Sequence, residues 1–213
     1  MITEKATIWQ LPLGPLQTNC YLLGCNATKM AVIVDPAWSG RLLAERATED
    51  GWQIERILLT HSHFDHVGGL AELQAVTGAP VAIHPDAVPM LENAPLAAQM
   101  WQFTIPEPPP VDELLAAGDT IVVGDLHLQV RFTPGHAPGH VCFYLASEHV
   151  IFDGDVLFQQ GIGRTDLPGG DYDRLMQSIH EELLTLPDET AVLSGHGPAT
   201  TIADERRNNP FLR

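Results

Sequence analysis

The sequence predicts a single α/β domain over residues 1–213, and three observations carry that reading. Short β-like runs alternate with helical stretches from one end to the other. Several of those runs finish in turns rich in Gly, His or Asp, which places polar groups along one sheet edge, where open α/β folds gather their sites. Length and composition agree, since 213 residues, 45% hydrophobic and 18% charged, can bury one substantial core without splitting in two.

Taken in order, strand-like runs at 7–12, 20–24 and 31–35 precede a helix that starts near Ser39, an N-cap residue type, and runs to Asp50 with Gly51 ending it. A strand over 56–60 follows, then a helix through 70–76 that stops at Gly78, then a returning strand over 81–84. Across 86–110, Pro89, Pro95, Pro106 and the Pro108-Pro109-Pro110 run limit the chain to two short helices, a stretch expected to overhang the site as a lid. Strands resume between Thr120 and Asp155, a helix is expected near 172–184, and a strand and a short helix close the chain.

The most informative segment is Thr60-His61-Ser62-His63-Phe64-Asp65-His66, three imidazoles and a carboxylate directly after the apolar Ile57-Leu58-Leu59. Histidine nitrogen and carboxylate oxygen are donors that Zn²⁺ and similar ions accept, and a turn leaving a buried strand can aim several at one point. The glycines of Val67-Gly68-Gly69-Leu70 then let the chain turn closely before a helix. Three later runs end alike: 130–133 enters Pro134-Gly135-His136, 150–152 enters Asp153-Gly154-Asp155, and 191–194 enters Gly195-His196-Gly197. Five histidines and two aspartates suit two adjacent metals that share one carboxylate and one water.

In order and context these residues resemble the metallo-β-lactamase superfamily. The resemblance implies a four-layer αββα sandwich, with His61, His63 and His136 on a first metal, Asp65, His66 and His196 on a second, and Asp155 bridging the two. Thr18-Asn19-Cys20-Tyr21-Leu22, the stretch from Phe158 to Gly170 that holds Gly161-Ile162-Gly163-Arg164-Thr165-Asp166, and the segment Glu205-Arg206-Arg207-Asn208-Asn209-Pro210-Phe211 look like the hydroxyacylglutathione hydrolase (glyoxalase II) and persulfide dioxygenase branch. The chain is similar to the short, single-domain form of that branch. With the sequence ending at Arg213, the expectation is a form without the helical extension whose basic residues hold glutathione in long-form glyoxalase II.

What the resemblance implies is a metal-dependent hydrolase of acyl thioesters, of the type that cleaves S-lactoyl-glutathione. A hydroxide shared by two ions attacks the carbonyl, a thiolate leaves, and Asp65 orients the nucleophile. The expected cofactors are two divalent ions, Zn²⁺ first, with Fe or Mn²⁺ also suited to mixed nitrogen and oxygen ligation. Two alternatives stay open: a mononuclear-iron persulfide dioxygenase using His61, His136 and Asp155, and another small-ester or lactone metallo-hydrolase.

Other residues carry two readings each. Asp35, ending the Val32-Ile33-Val34 run, can hydrogen-bond a ligand histidine or simply turn the chain. His140, four residues past His136, is surplus to the seven ligands and suits a supporting role. Arg164 can meet an anionic substrate or tie its loop to Asp166 or Asp171, while Arg206 and Arg207 can meet a carboxylate if their helix faces the site. His84, His127, His149 and His180 have no motif around them.

A net charge of −16 with only eleven Lys and Arg argues against nucleic-acid binding. Two divalent cations would still draw an anionic small molecule to the site. No stretch approaches the roughly 20 apolar residues of a membrane span, and the start Met1-Ile2-Thr3-Glu4-Lys5 does not read as a signal peptide. The expectation is a cytoplasmic enzyme with a small-molecule thioester substrate and neither a nucleic-acid nor a membrane partner. Cys20, Cys25 and Cys142, odd in number and without Cys-x-x-Cys spacing, are expected as small buried side chains.

Overall fold

Strands β2 (Thr18–Cys25) and β3 (Met30–Val34) are buried on nearly every residue, so their alternating side chains enter two different cores. Cys20, Leu22, Ala31 and Ile33 pack with Leu43, Leu70, Leu73 and Leu91 on one side. Tyr21, Leu23, Val32 and Val34 face Leu128, Val130, Phe143 and Phe152 on the other. In β9 (Val141–Leu145) and β10 (Val150–Gly154), Phe143 and Phe152 point into that central core, whereas Cys142, Tyr144 and Ile151 point outward against Leu175, Ile179 and Leu183. The computed structural model, which describes residues 1–213, is therefore a four-layer αββα sandwich with three apolar cores. Phe143 and Phe152 are fully buried at its centre, and truncating either to Ala would cost about 3–5 kcal/mol.

The first sheet runs β1 (Ala6–Leu13), β2, β3, β4 (Gln53–Leu58), β5 (Val81–Ile83) and β6 (Glu113–Leu114) in spatial order, antiparallel as far as β3 and parallel beyond it. The second runs β7 (Thr120–Val123), β8 (Leu126–Phe132), β9, β10, β13 (Ala191–Ser194) and β14 (Thr200–Thr201), with β10 and β13 parallel. A ribbon of β11 (Leu157–Phe158) and β12 (Gly161–Ile162) follows β10. Parallel neighbours end at the same edge, so the turns after β3, β4, β10 and β13 meet there.

Helix α1 (Gly40–Glu49) begins one residue after Ser39, but Ser39 has φ 55° and its side chain caps nothing, so this serine serves the turn and not the helix end. The single turn α2 (Phe64–Val67) carries Asp65 and His66, and α3 (Leu70–Thr77) ends at Gly78 as the sequence predicts. In the proline-rich stretch, α4 (Val88–Glu92) and α5 (Ala94–Met100) bury Leu91, Ala94 and Ala98 in the outer core. Phe103 stacks on Phe64 with ring centroids 5.7 Å apart, and Trp101 reaches the Arg164 guanidinium at 6.0 Å. The two short helices that the sequence predicts are thus present, and Phe103 and Trp101 connect the stretch to α2 and to the Arg164 loop. On the opposite face α6 (Tyr172–Ser178) is capped by Asp171 and widens into a π turn over Ile179–Leu183, and α7 (Ile202–Asn208) closes the chain. No helix is long and apolar enough to cross a membrane, and all three cysteines are buried and unpaired.

Candidate metal centre

All seven sequence-predicted donors converge at that shared edge. His61 and His63 leave β4, Asp65 and His66 ride on α2, and His136, Asp155 and His196 follow β8, β10 and β13. His63 Nδ1 lies 3.1 Å from His61 Nε2 and 2.9 Å from His136 Nε2, which closes one triad. Asp65 Oδ2 lies 3.2 Å from His196 Nε2 and 3.7 Å from His66 Nε2, which closes the other. Asp155 stands between them, with Oδ1 3.5 Å from His66 Nε2 and Oδ2 3.5 Å from His136 and 3.6 Å from His196. Donors bound at about 2.0–2.1 Å around a tetrahedral ion lie roughly 3.3 Å apart, so these separations fit metal ions.

The placement of protons makes the same point. Asp35 accepts from the Thr60 backbone N–H and, at 2.6 Å, from the Thr60 hydroxyl, so Thr60 Oγ1 is left to accept from His61 Nδ1. His66 Nδ1 donates to Asp35 Oδ2, and His136 Nδ1 donates to the Arg164 carbonyl. His61 and His136, both neutral, then have their only proton on Nδ1 and turn a bare Nε2 lone pair inward, and His66 likewise points its Nε2 at the cluster. One proton on His63 could satisfy only one of its two neighbours. His66 Nε2 and Asp155 Oδ1 are buried without any hydrogen-bond partner, which is costly unless a cation takes the place of a donor. The cluster fits a binuclear metal site.

Electrostatics divides the triads. Burial, then the neighbouring imidazoles, pushes His61 well below the usual histidine range and His63 down to about 4, and burial also lowers His136. These rings are neutral, the state that binds metal. Burial opposes charge on His66 and His196 as well, but Asp155 and Asp65 overcome it and raise both. Burial works to raise the Asp65 carboxyl, yet the charge of His66 holds it at about 2.

The structure adds supports that the sequence did not disclose. Thr18 donates to Asp65 Oδ2 at 2.7 Å, and Asn19 Nδ2 and Tyr21 Oη donate to the Ser194 carbonyl, so β2 of the first sheet holds the His196 loop of the second. Asn19 also reaches the Gly197 carbonyl. Gly195 has to be glycine, because a Cβ there would fall 2.2 Å from Asp155 Oδ1 and 2.6 Å from His66 Cε1. Glu205, noted in the sequence only as part of the family-like 205–211 segment, is buried and accepts from the Gln160 amide, the Thr200 hydroxyl and Asn209, tying α7 to the β11–β12 ribbon.

For the arginines the structure shows one of the two readings that the sequence left open. The Arg164 guanidinium grips both oxygens of Asp166 at 2.8 Å, so its side chain ties the loop and its link to the site is the backbone carbonyl held by His136. Arg206 pairs with Asp188 and the Leu184 carbonyl, away from the site, and Arg207 is exposed. His140 is fully buried against Asp155, while His127, His149 and His180 are exposed and His84 stacks on Phe132.

Comparison with known proteins agrees with this geometry. The chain is 42% identical over 204 residues to a probable metallo-hydrolase, YqgX, of Bacillus subtilis, covering 95% of this chain and 96% of that one. It is 37% identical over 209 residues to the hydroxyacylglutathione hydrolase GloC of Haemophilus influenzae, covering 95% and 96%. Among solved structures, the B3 metallo-beta-lactamase BLEG-1 superposes with a TM-score of 0.91 at 42% identity, over 97% of this chain and 99% of that one. TTHA1623 in a di-iron-bound form gives 0.88 at 44% identity, over 96% and 100%. The sequence profile of the metallo-beta-lactamase superfamily matches residues 13–196, the span that holds every donor described above, and the chain belongs to that superfamily of metallo-hydrolases.

Proposed function

We propose that this protein hydrolyses acyl thioesters at a two-metal centre, with 2-hydroxyacyl conjugates of glutathione, such as S-lactoyl-glutathione, as its substrate class. The observation that carries the proposal is the set of histidine nitrogens and carboxylates turned into one space, two triads joined by Asp155, with His66 Nε2 and Asp155 Oδ1 buried there without a hydrogen-bond partner. His61, His63 and His136 would hold one ion, Asp65, His66 and His196 the other, and Asp155 both. Bound there, two divalent ions supply Lewis acidity towards a carbonyl and make hydroxide available at neutral pH.

The chain's own residues supply the rest. The contacts of Asp65 with Thr18, His196 and His66 all use Oδ2, which leaves Oδ1 to orient the proton of an attacking water. A thiolate leaves without a strong general acid, because thiols are far more acidic than alcohols or amines. No side-chain nucleophile is required. Burial pushes the Cys20 and Cys142 thiols up, so neither offers a thiolate.

The choice of thioester is supported by the likeness of the Arg164 loop and the 205–211 segment to the glyoxalase II branch and by the Haemophilus influenzae relative of that name. Zn²⁺ suits the donor set, and the di-iron form of TTHA1623 supports iron as the alternative metal.

The test assays His196→Ala and His136→Ala side by side on thioesters, lactones and β-lactams, with oxygen uptake on glutathione persulfide and folding checked by circular dichroism. Each variant is expected to lose thioester hydrolysis by on the order of a hundredfold or more. Hydrolysis that survives in a folded His196→Ala protein sinks the two-metal mechanism. Oxygen uptake kept by that variant and lost in His136→Ala puts a mononuclear dioxygenase in its place.

A further inference from the structure

His140 belongs to neither triad, and both of its nitrogens are matched to partners other than the donor atoms of the triads. Its Nε2 lies 3.2 Å from the backbone N–H of Asp155. An amide can only donate, so Nε2 accepts and the ring proton sits on Nδ1, which donates to Thr133 Oγ1 at 3.0 Å. The Thr133 hydroxyl then spends its own proton on Cys142 Sγ at 3.1 Å, and the Cys142 S–H points to the Asp153 carbonyl at 3.4 Å. A carbonyl can only accept. The chain of four bonds therefore has one direction, leaving the amide of Asp155 and returning to the carbonyl of Asp153, two residues earlier.

The loop closes around Gly154, the last residue of β10. A Cβ there would lie 2.6 Å from Thr60 Oγ1 and 2.7 Å from His140 Nε2, and the residue has φ +54°, so the backbone is pressed between the two sheets. The His140 ring also stacks on the His61 ring, with centroids 4.9 Å apart and planes 25° from parallel. One imidazole thus sets both the turn that aims Asp155 and the plane of a first-triad donor.

We propose that His140, Thr133 and Cys142 form a one-way hydrogen-bonded strap that fixes the Asp155 carboxylate between the two triads, and that His140 is a positioning residue and not a ligand. The proposal rests on the metal-centre reading only in taking Asp155 as a donor to both ions. The proton directions follow from the partners alone.

Long-range proton–nitrogen correlation spectra of the histidine rings, recorded on the zinc-loaded full chain, test it directly. The expected result is a neutral His140 with its proton on Nδ1 and a bare Nε2, unchanged when the metal is removed. Thr133→Val keeps the shape of the side chain but can neither accept from His140 nor donate to Cys142, whereas Thr133→Ser can do both. By chelator competition, Thr133→Val is expected to bind Zn²⁺ about tenfold more weakly and Thr133→Ser to recover most of that loss. A ring proton on Nε2, a His140 nitrogen that shifts as a metal ligand does, or unchanged zinc affinity in Thr133→Val would each overturn the proposal. If Thr133→Val fails to fold, the ring nitrogens of the unsubstituted protein still decide. Absent thioester hydrolysis alongside the expected spectra and affinities would sink the functional reading and leave the strap standing.

Discussion

The two triads use the same ring chemistry under opposite fields. His61, His63 and His136 have no carboxylate of their own beyond the shared Asp155, and each is pushed down by burial. His66 and His196 share Asp65 as well as Asp155, and each is pushed up despite burial. The first half is therefore preset in the neutral form that binds a metal without releasing a proton. The second holds a proton until a cation replaces it. Support differs too. The first triad is steadied by Thr60 and the Arg164 carbonyl, whereas the His196 loop hangs from Asn19 and Tyr21 of the opposite sheet. Residue type alone does not make a metal site. The number of carboxylates within reach decides whether a site waits neutral or charged.

Asp155 joins the halves, so replacing it should give the largest effect. Asp155→Asn keeps the shape and removes the charge that both triads face. Thioester hydrolysis is expected to fall by on the order of a thousandfold or more, and metal content from two ions per chain towards one. Steady-state kinetics and elemental analysis check this. Activity within tenfold of the unsubstituted protein, with two ions retained, would break the idea that the halves act through a common carboxylate.

A smaller effect sharpens the contrast by its sign. In metal-stripped protein, His66 and His196 have folded pKa values above the usual 6.5, so their stabilisation is complete below 6.5 and is lost as pH rises through the folded values. His61, His63 and His136 are depressed below 6.5, so they favour the folded state above that pH and lose this advantage as pH falls towards their folded values, about 4 for His63. Stability of the stripped protein should rise as pH comes down to about 6.5 and fall below it. Urea unfolding across pH would show the two limbs. In Asp155→Asn the alkaline limb should flatten, and in zinc-loaded protein it should vanish because acid then only competes with metal. A stripped protein whose stability simply climbs with pH would mean that the triads do not differ in charge.

The sequence showed the donors more clearly than their supports, and the reason is physical. His61, His63, Asp65 and His66 are close neighbours in the chain, and metal ligation demands specific residue types, so the pattern is visible. Asn19 and Tyr21 act on a carbonyl more than 170 residues away, and a carbonyl carries no residue identity to read. Asp35 was legible as a candidate because it ends an apolar strand, but its grip on both Thr60 and His66 needs β3 and β4 side by side. The layers followed from family resemblance, since doubly buried strands such as β2 and β3 lack the polar alternation that shows which face is which. Ser39 misled at the level of its cap alone, because it takes a left-handed turn before α1, while the prolines of 86–110 correctly limited that stretch to the short helices α4 and α5.

The smallest expected effect concerns Arg164, at the first triad's rim. Its link to His136 runs through a backbone carbonyl, which no side-chain substitution removes, and its guanidinium is held by Asp166 in an exposed pair. Arg164→Ala should therefore leave metal content unchanged and shift kcat and KM by less than about fivefold on S-lactoyl-glutathione. Asp166→Ala frees the guanidinium, and if that cation can reach an anionic substrate, KM should fall in this variant and return when Arg164 is also removed. This double substitution separates loop-tying from substrate contact. A tenfold or greater rise in KM for Arg164→Ala, specific to anionic thioesters and absent for neutral ones, would mean that the arginine leaves Asp166 when substrate binds. The first triad would then carry, at its rim, the positive charge that the second already carries inside.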